Sequence, residues 1–142
     1  MGDVHFCELT GRHVPFHKLS QWLCYSLLEP IVEYYRFTLL NTKLQTGLAE
    51  YRNGGLFVDY QVIVPLFDPA TTTLQPSSEA VVEWRALTVC LLDRLHRGPF
   101  PNLTLPQLLE AGTWKAGRIV AKELRPATGA PPLLIQSDGT LF

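Results

Sequence analysis

Asp59 stands inside the apolar run from Leu56 to Val64, and that run is entered through Tyr51-Arg-Asn-Gly-Gly55. A carboxylate removed from water is costly unless it is paired, so Asp59 requires a cation. Arg52 and Arg85 are the candidates. Held in an apolar setting, such a carboxylate can take a proton or stabilise developing positive charge. It can equally be one half of a structural ion pair, and the local residues leave both readings open. Arg52 has the fork geometry to clamp a phosphate or a carboxylate. Asn53 adds a polar neighbour, and Gly54-Gly55 let a backbone approach closely. The same Arg-Asn-Gly-Gly also reads as an ordinary turn leading into a strand.

Three further places carry polar groups in a suggestive order. His17, Lys18, Gln21 and Tyr25 form a stripe near the start of a helix, where exposed amides favour anions; such a stripe also describes a solvated face. Glu83 and Arg85 are two apart on a helix and point away from each other, so each needs a partner elsewhere. Asp138 lies in Ser137-Asp-Gly-Thr140, which offers a second carboxylate and also reads as an Asp-Gly turn. The histidines His5, His13, His17 and His96 have no metal-binding spacing. No phosphate loop, dinucleotide fingerprint or nucleophile elbow occurs in the sequence. No metal or cofactor is therefore expected.

The elements that must position these groups follow from periodicity. Residues 1–15 read as an irregular lead-in. A helix runs from Phe16 to about Glu29, with Leu19, Leu23 and Leu27 on one face and the His17–Tyr25 stripe on another. Pro30 interrupts it, and a kinked second segment follows. Residues 41–54 are loop-like, Leu56–Val64 is the best strand candidate, and 67–77 is a loop. Ser77 or Ser78 caps a helix reaching about Leu95, apolar nearly all round and hence expected to be buried. Leu105–Ala111 is a short helix with Pro106 in its first turn. Thr113 caps the next helix, and Leu133–Gln136 is a short strand. The fold class is mainly α with small β elements (α+β), in one domain over 1–142.

Composition narrows the function classes. With 12 Lys and Arg against 13 Asp and Glu, the net charge is −1 and no basic stripe appears, which argues against nucleic acid as a partner. No apolar run approaches the roughly 18 residues of a membrane span, and the N-terminus lacks a signal-peptide core, so no membrane partner is expected. Cys7, Cys24 and Cys90 are odd in number, and two lie within helical apolar patterns. Buried, reduced thiols and a cytoplasmic location are the corresponding expectation.

Taken together, PFHKLSQWLCYSLLEP, GLAEYRNGGLFVDYQVIVP, SEAVVEWRALTVCLLDRL and AGTWKAGRIVAKELRP with GAPPLLIQSDGTLF resemble, in order, the C-terminal part of the fungal and bacterial uracil-catabolism family. That family was long described as a conserved domain of unknown function. A weaker similarity, through the Asp-Tyr of FVDYQVIVP and the VEWRA segment, is to the queuosine-salvage nucleotide glycosylases. The resemblances imply a helical, DNA-glycosylase-like fold, incomplete here because family members are longer. They imply hydrolysis of an N-glycosidic bond in a ribosylurea- or nucleotide-type intermediate, so a small nucleotide- or ribose-derived substrate. Asp59 and Asp138 would be the catalytic carboxylates. His17, Lys18 and Arg52 would hold a ribose phosphate, with Gln21 and Asn53 beside them and Glu83 and Arg85 shaping the wall. The alternative is a truncated, non-catalytic fragment, or a subunit that works only with its missing N-terminal portion.

Overall fold

In the computed structural model, which describes residues 2–69 and 71–136, the lead-in is a hairpin. Strands β1 (Val4–Cys7) and β2 (Arg12–Pro15) pair antiparallel, with Val4 opposite Pro15 and Cys7 opposite Arg12. Gly11 turns the chain at φ 63°, a conformation that glycine adopts without penalty. This short-range turn was masked in the sequence by the lack of alternation on either side.

Helix α1 (Lys18–Tyr35) continues through Pro30 as one helix and is not interrupted there. Proline removes the hydrogen bond to the carbonyl of Ser26, but both residues are exposed, so water replaces it. The orientation of α1 reverses expectation. Lys18 and Tyr25 are its only buried residues, while Leu19, Leu23 and Leu27 face outward.

The largest correction concerns Leu56–Val64. The expected strand is instead helix α2 (Tyr51–Asp59), followed by turns. A capping box starts it: the Glu50 side chain accepts from the Arg52 amide, and Asn53 Oδ1 accepts from the Glu50 amide, both at 2.9 Å. The glycines sit inside the helix because neighbours press on it. A Cβ at Gly54 would lie 2.9 Å from Thr88 Oγ1, and one at Gly55 would lie 2.9 Å from Pro132. Tertiary packing therefore overrides the weak helix propensity of glycine.

Helix α3 (Glu79–Arg97) spans the centre and buries Val81, Val82, Trp84, Arg85, Thr88 and Leu92. Contrary to expectation it has a solvent stripe, formed by Glu83, Leu87, Cys90 and Arg94. Cys90 and Cys24 are exposed, and Cys7 alone of the three cysteines is buried. The next helical stretch is continuous: α4 (Leu105–Gln107), seven π-helical residues (Leu108–Trp114), then α5 (Lys115–Leu124). Thr113 is consequently no cap; its hydroxyl donates to the Leu109 carbonyl within the helix. Strands β3 (Thr73–Leu74) and β4 (Leu134–Ile135) pair in parallel. The class is mainly α with two small sheets, as the sequence predicted.

Two apolar clusters meet across α2. Leu48, Phe57, Leu92, Leu105, Leu108 and Leu109 form one, and Ala49, Leu74, Val81, Trp84 and Leu133 the other. Helix α5 crosses α2 at Gly117, where a Cβ would lie 2.3 Å from the Arg52 carbonyl oxygen. That approach brings the N-terminal turn of α2 and the buried face of α5, at Gly117 and Ala121, together. Among the described residues, no helix is long and apolar enough to cross a membrane.

Candidate functional site

The start of α2 forms the floor of a cleft of about 240 Å³, bounded by Lys18, Trp22, Glu50, Arg52, Trp114 and Arg118. Glu50 reaches it because its backbone is fixed from below. Asn53 is fully buried, and its amide nitrogen donates to the Leu48 carbonyl at 2.9 Å, tying the cap to the core. One Glu50 oxygen caps the helix. The other, Oε1, lies 3.8 Å from Lys18 Nζ and 4.0 Å from Arg52 Nε.

Burial acts on both members of this pair. Desolvation raises the Glu50 carboxyl above its ordinary range, against the opposing charge of Lys18 and the Arg52 amide. Desolvation likewise lowers the Lys18 amine, against the opposing charge of Glu50. A carboxylate pulled up and an amine pulled down bring both toward the pH at which proton transfer is efficient. The walls are aromatic: Trp22 and Trp114 meet edge to face with ring centroids 4.6 Å apart. The indole Nε1 of Trp114 is buried and has no acceptor among the described residues. Trp114 ends the π-helical segment, a distortion frequently found at functional sites.

Lys18 is positioned by a second charged group. The buried Asp3 carboxylate accepts from Arg85 Nη1 and Nη2 at 2.5 and 2.7 Å, and from the Lys18 amide at 2.8 Å. Burial would raise Asp3, but the bonds from Arg85 and the Lys18 amide outweigh it and hold the carboxyl below its usual range. The fully buried Arg85 also stacks on Phe16, with Cζ 3.9 Å from the ring centroid.

Beside the cleft, and sharing Arg52 and Arg118 with it, is a second pocket of about 250 Å³. Asp59, Lys122 and Gly129 lie on its wall. Both Asp59 oxygens accept from Arg125, at 2.9 and 2.7 Å, so the cation is neither Arg52 nor Arg85. Arg125 also donates from Nε to the Ala130 carbonyl, pinning the segment after α5 against α2. The Asp59 side chain is 4% exposed and that of Arg125 28%, so removing Arg125 strands a buried charge. Arg125→Met is expected to cost about 1–3 kcal/mol, reduced from a fully buried pair by this exposure. Urea denaturation measures it; an unchanged midpoint would show that the pair is dispensable.

Of the residues singled out in the sequence, Lys18, Arg52 and Asn53 converge on Glu50. Gln21 lies one turn along and is committed to the Tyr25 hydroxyl and the Thr46 carbonyl, at 2.9 and 3.1 Å. His17 is exposed at the left-handed N-cap of α1. Glu83 is on the solvent stripe of α3, and Arg85 is beneath Lys18 rather than in the cleft. Asp138 lies outside the described residues. Glu50, Asp3, Trp22, Trp114 and Arg118 were missed. The Glu-x-x-Asn spacing of a capping box was the one signal that marked Glu50 as the start of a helix.

A family model described as a protein of unknown function, DUF1688, matches residues 1–142. The chain belongs to the DUF1688 family. Protein urg3 of Schizosaccharomyces pombe is 51% identical over 154 residues, which is 100% of this chain and 38% of that protein. Uracil catabolism protein 4 of Lachancea kluyveri is 49% identical over 153 residues, covering 91% of this chain and 34% of that protein. The DUF1688 chain thus spans little more than a third of the length of these curated relatives. No solved structure matches it.

Proposed function

We propose that this DUF1688 chain takes part in uracil catabolism by hydrolysing the N-glycosidic bond of a ribosylurea- or nucleotide-type intermediate. The observation that carries the chemistry is the desolvated Glu50–Lys18 pair, 3.8 Å apart between tryptophan walls. The name of the Lachancea kluyveri relative supplies the pathway. In this reading the Glu50 carboxylate takes a proton from water as the water oxygen attacks C1′. The C1′–N bond breaks, its electron pair passes to nitrogen, and the Lys18 ammonium protonates that nitrogen. Sugar and urea, or free base, leave; one water is consumed.

A carboxylate near C1′ also stabilises the oxocarbenium charge that develops there. Trp22 and Trp114 supply flat faces for the planar leaving group, and the orphan Trp114 N–H supplies a donor. Asp59, expected to be catalytic, is assigned the supporting part, because Arg125 occupies both its oxygens. A phosphate on the sugar falls to the adjoining pocket, where Arg118 and Lys122 make no hydrogen bond or ion pair among the described residues. Arg52 faces both sites.

The test is urea release from ribosylurea 5′-phosphate, by this chain and by the intact Schizosaccharomyces pombe relative. Release by either, lost with the glutamate, supports the reading; no release by both overturns it. A binding measurement stands beside it. Ribose 5-phosphate at a hundred times its Kd is expected to stabilise the fold by about 2.7 kcal/mol, and unphosphorylated ribose far less. Thermal shift reads the difference, and Arg118→Glu with Lys122→Glu is expected to abolish it. Equal shifts with both sugars would remove the phosphate from the proposal.

A further inference from the structure

Helix α1 carries apolar residues on two sides, and only one of them is packed. Inward, Trp22, Tyr25 and Leu28 pack on the core beside Lys18 and Gln21, whose side chains meet Glu50 and the Tyr25 hydroxyl. Its outward side carries Leu19, Leu23, Leu27 and Tyr34, of which Leu19 is 58% exposed and Tyr34 81%. At its end the stripe continues into the stacked rings of Tyr35, the last residue of the helix, and Phe37, whose centroids are 5.6 Å apart. Isolated helices of this length gain most of their stability from packing an apolar face. Here 18 residues bury two. Contiguous exposed apolar surface of this kind marks an interaction site.

The length of the relatives indicates the occupant. At about half identity throughout, this unit makes up 38% of one relative and 34% of the other, so family members carry it with a larger body of polypeptide. We propose that the outer face of α1 docks that additional family polypeptide, whether joined to this chain or separate. Position gives the contact a consequence for the cleft. Leu19 belongs both to the stripe and to the cleft lining, next to Lys18 and Trp22. The docked polypeptide roofs the open side of the cleft and shields the Lys18–Glu50 pair from bulk solvent, leaving room for the one water that reacts. The docking itself does not depend on the hydrolase reading.

Amide hydrogen exchange on this chain and on the intact Schizosaccharomyces pombe relative tests it. Amides of residues 18–35 are expected to exchange within minutes here. The equivalent helix in the relative is expected to exchange ~100-fold more slowly or better. Because Leu23 is exposed, Leu23→Lys should leave the melting of this chain unchanged. The equivalent substitution in the relative should lower its Tm by about 5 °C or more. Equal exchange in both proteins, or no effect in the relative, overturns the proposal. So does protection of α1 here that grows with concentration and is lost in Leu23→Lys, which would assign the face to a second copy.

Discussion

Asp3→Ala is expected to cost about 3–5 kcal/mol, because it leaves the fully buried Arg85 without its carboxylate. That is a large part of the roughly 5–15 kcal/mol that holds a domain of this kind together. The same carboxylate accepts from the Lys18 amide at the first turn of α1, so the start of that helix loses its anchor as well. Asp3→Asn keeps an acceptor and the shape but loses the charge, and should fall between wild type and alanine. Chemical denaturation of the three proteins at neutral pH gives the ranking. If Asp3→Ala matches wild type, the pair contributes nothing and Arg85 finds water instead.

The pH dependence of this pair has a defined sign. The Asp3 carboxyl is lowered in the folded state, so its contribution is complete above the unfolded-state value near pH 4 and is lost as pH falls through the folded value. Wild type should therefore lose stability below about pH 4 more steeply than Asp3→Asn. Glu50 has the opposite sign. Its raised carboxyl contributes below the unfolded-state value and loses that contribution as pH rises through the folded one. A stability profile of Asp3→Asn that parallels wild type down to pH 2 would contradict the first of these.

Glu50→Gln is expected to remove about 10²–10⁴-fold of turnover on the proposed substrate, the usual contribution of a general base. Glutamine retains an oxygen that can accept from the Arg52 amide, so the α2 cap survives and the melt should shift little. This separates chemistry from folding. The wild-type profile of kcat/KM should be bell-shaped, with its acid limb above the ordinary glutamate range and its alkaline limb below the ordinary lysine range. The acid limb should disappear in Glu50→Gln. Wild-type turnover in that variant would dismiss Glu50 as the base and return attention to Asp59.

How far these groups were legible in the sequence depended on the range of the interaction that places them. The helix beginning at Glu79, the strand near Leu134 and the short helix opened by Pro106 were readable because serine, glycine and proline punctuate the chain locally. The Ser78 hydroxyl nevertheless donates to the Gln75 carbonyl and does not cap its helix. The helix from Tyr51 was not, because Gly54 and Gly55 oppose it locally and are retained for contacts with Thr88 and Pro132 far along the chain. The α1 stripe was read correctly as two faces. Its direction was inverted, since periodicity identifies an apolar face without saying which body it meets. Lys18, Arg52 and Asn53 were found by their types. Asp3–Arg85 and Asp59–Arg125 join residues 82 and 66 positions apart, and no spacing rule reaches that far.

The crossing at Gly117 has a further consequence. There the two main chains touch with no side chain between them, so the distance from the tryptophan cleft to the cationic pocket is set by bare backbone. Substitutions on the outer rims leave that spacing in place, whereas Arg52 and Arg118, which line both hollows, control the passage between them. Backbone thus fixes how far apart the hollows lie, and two arginine side chains fix how freely they connect.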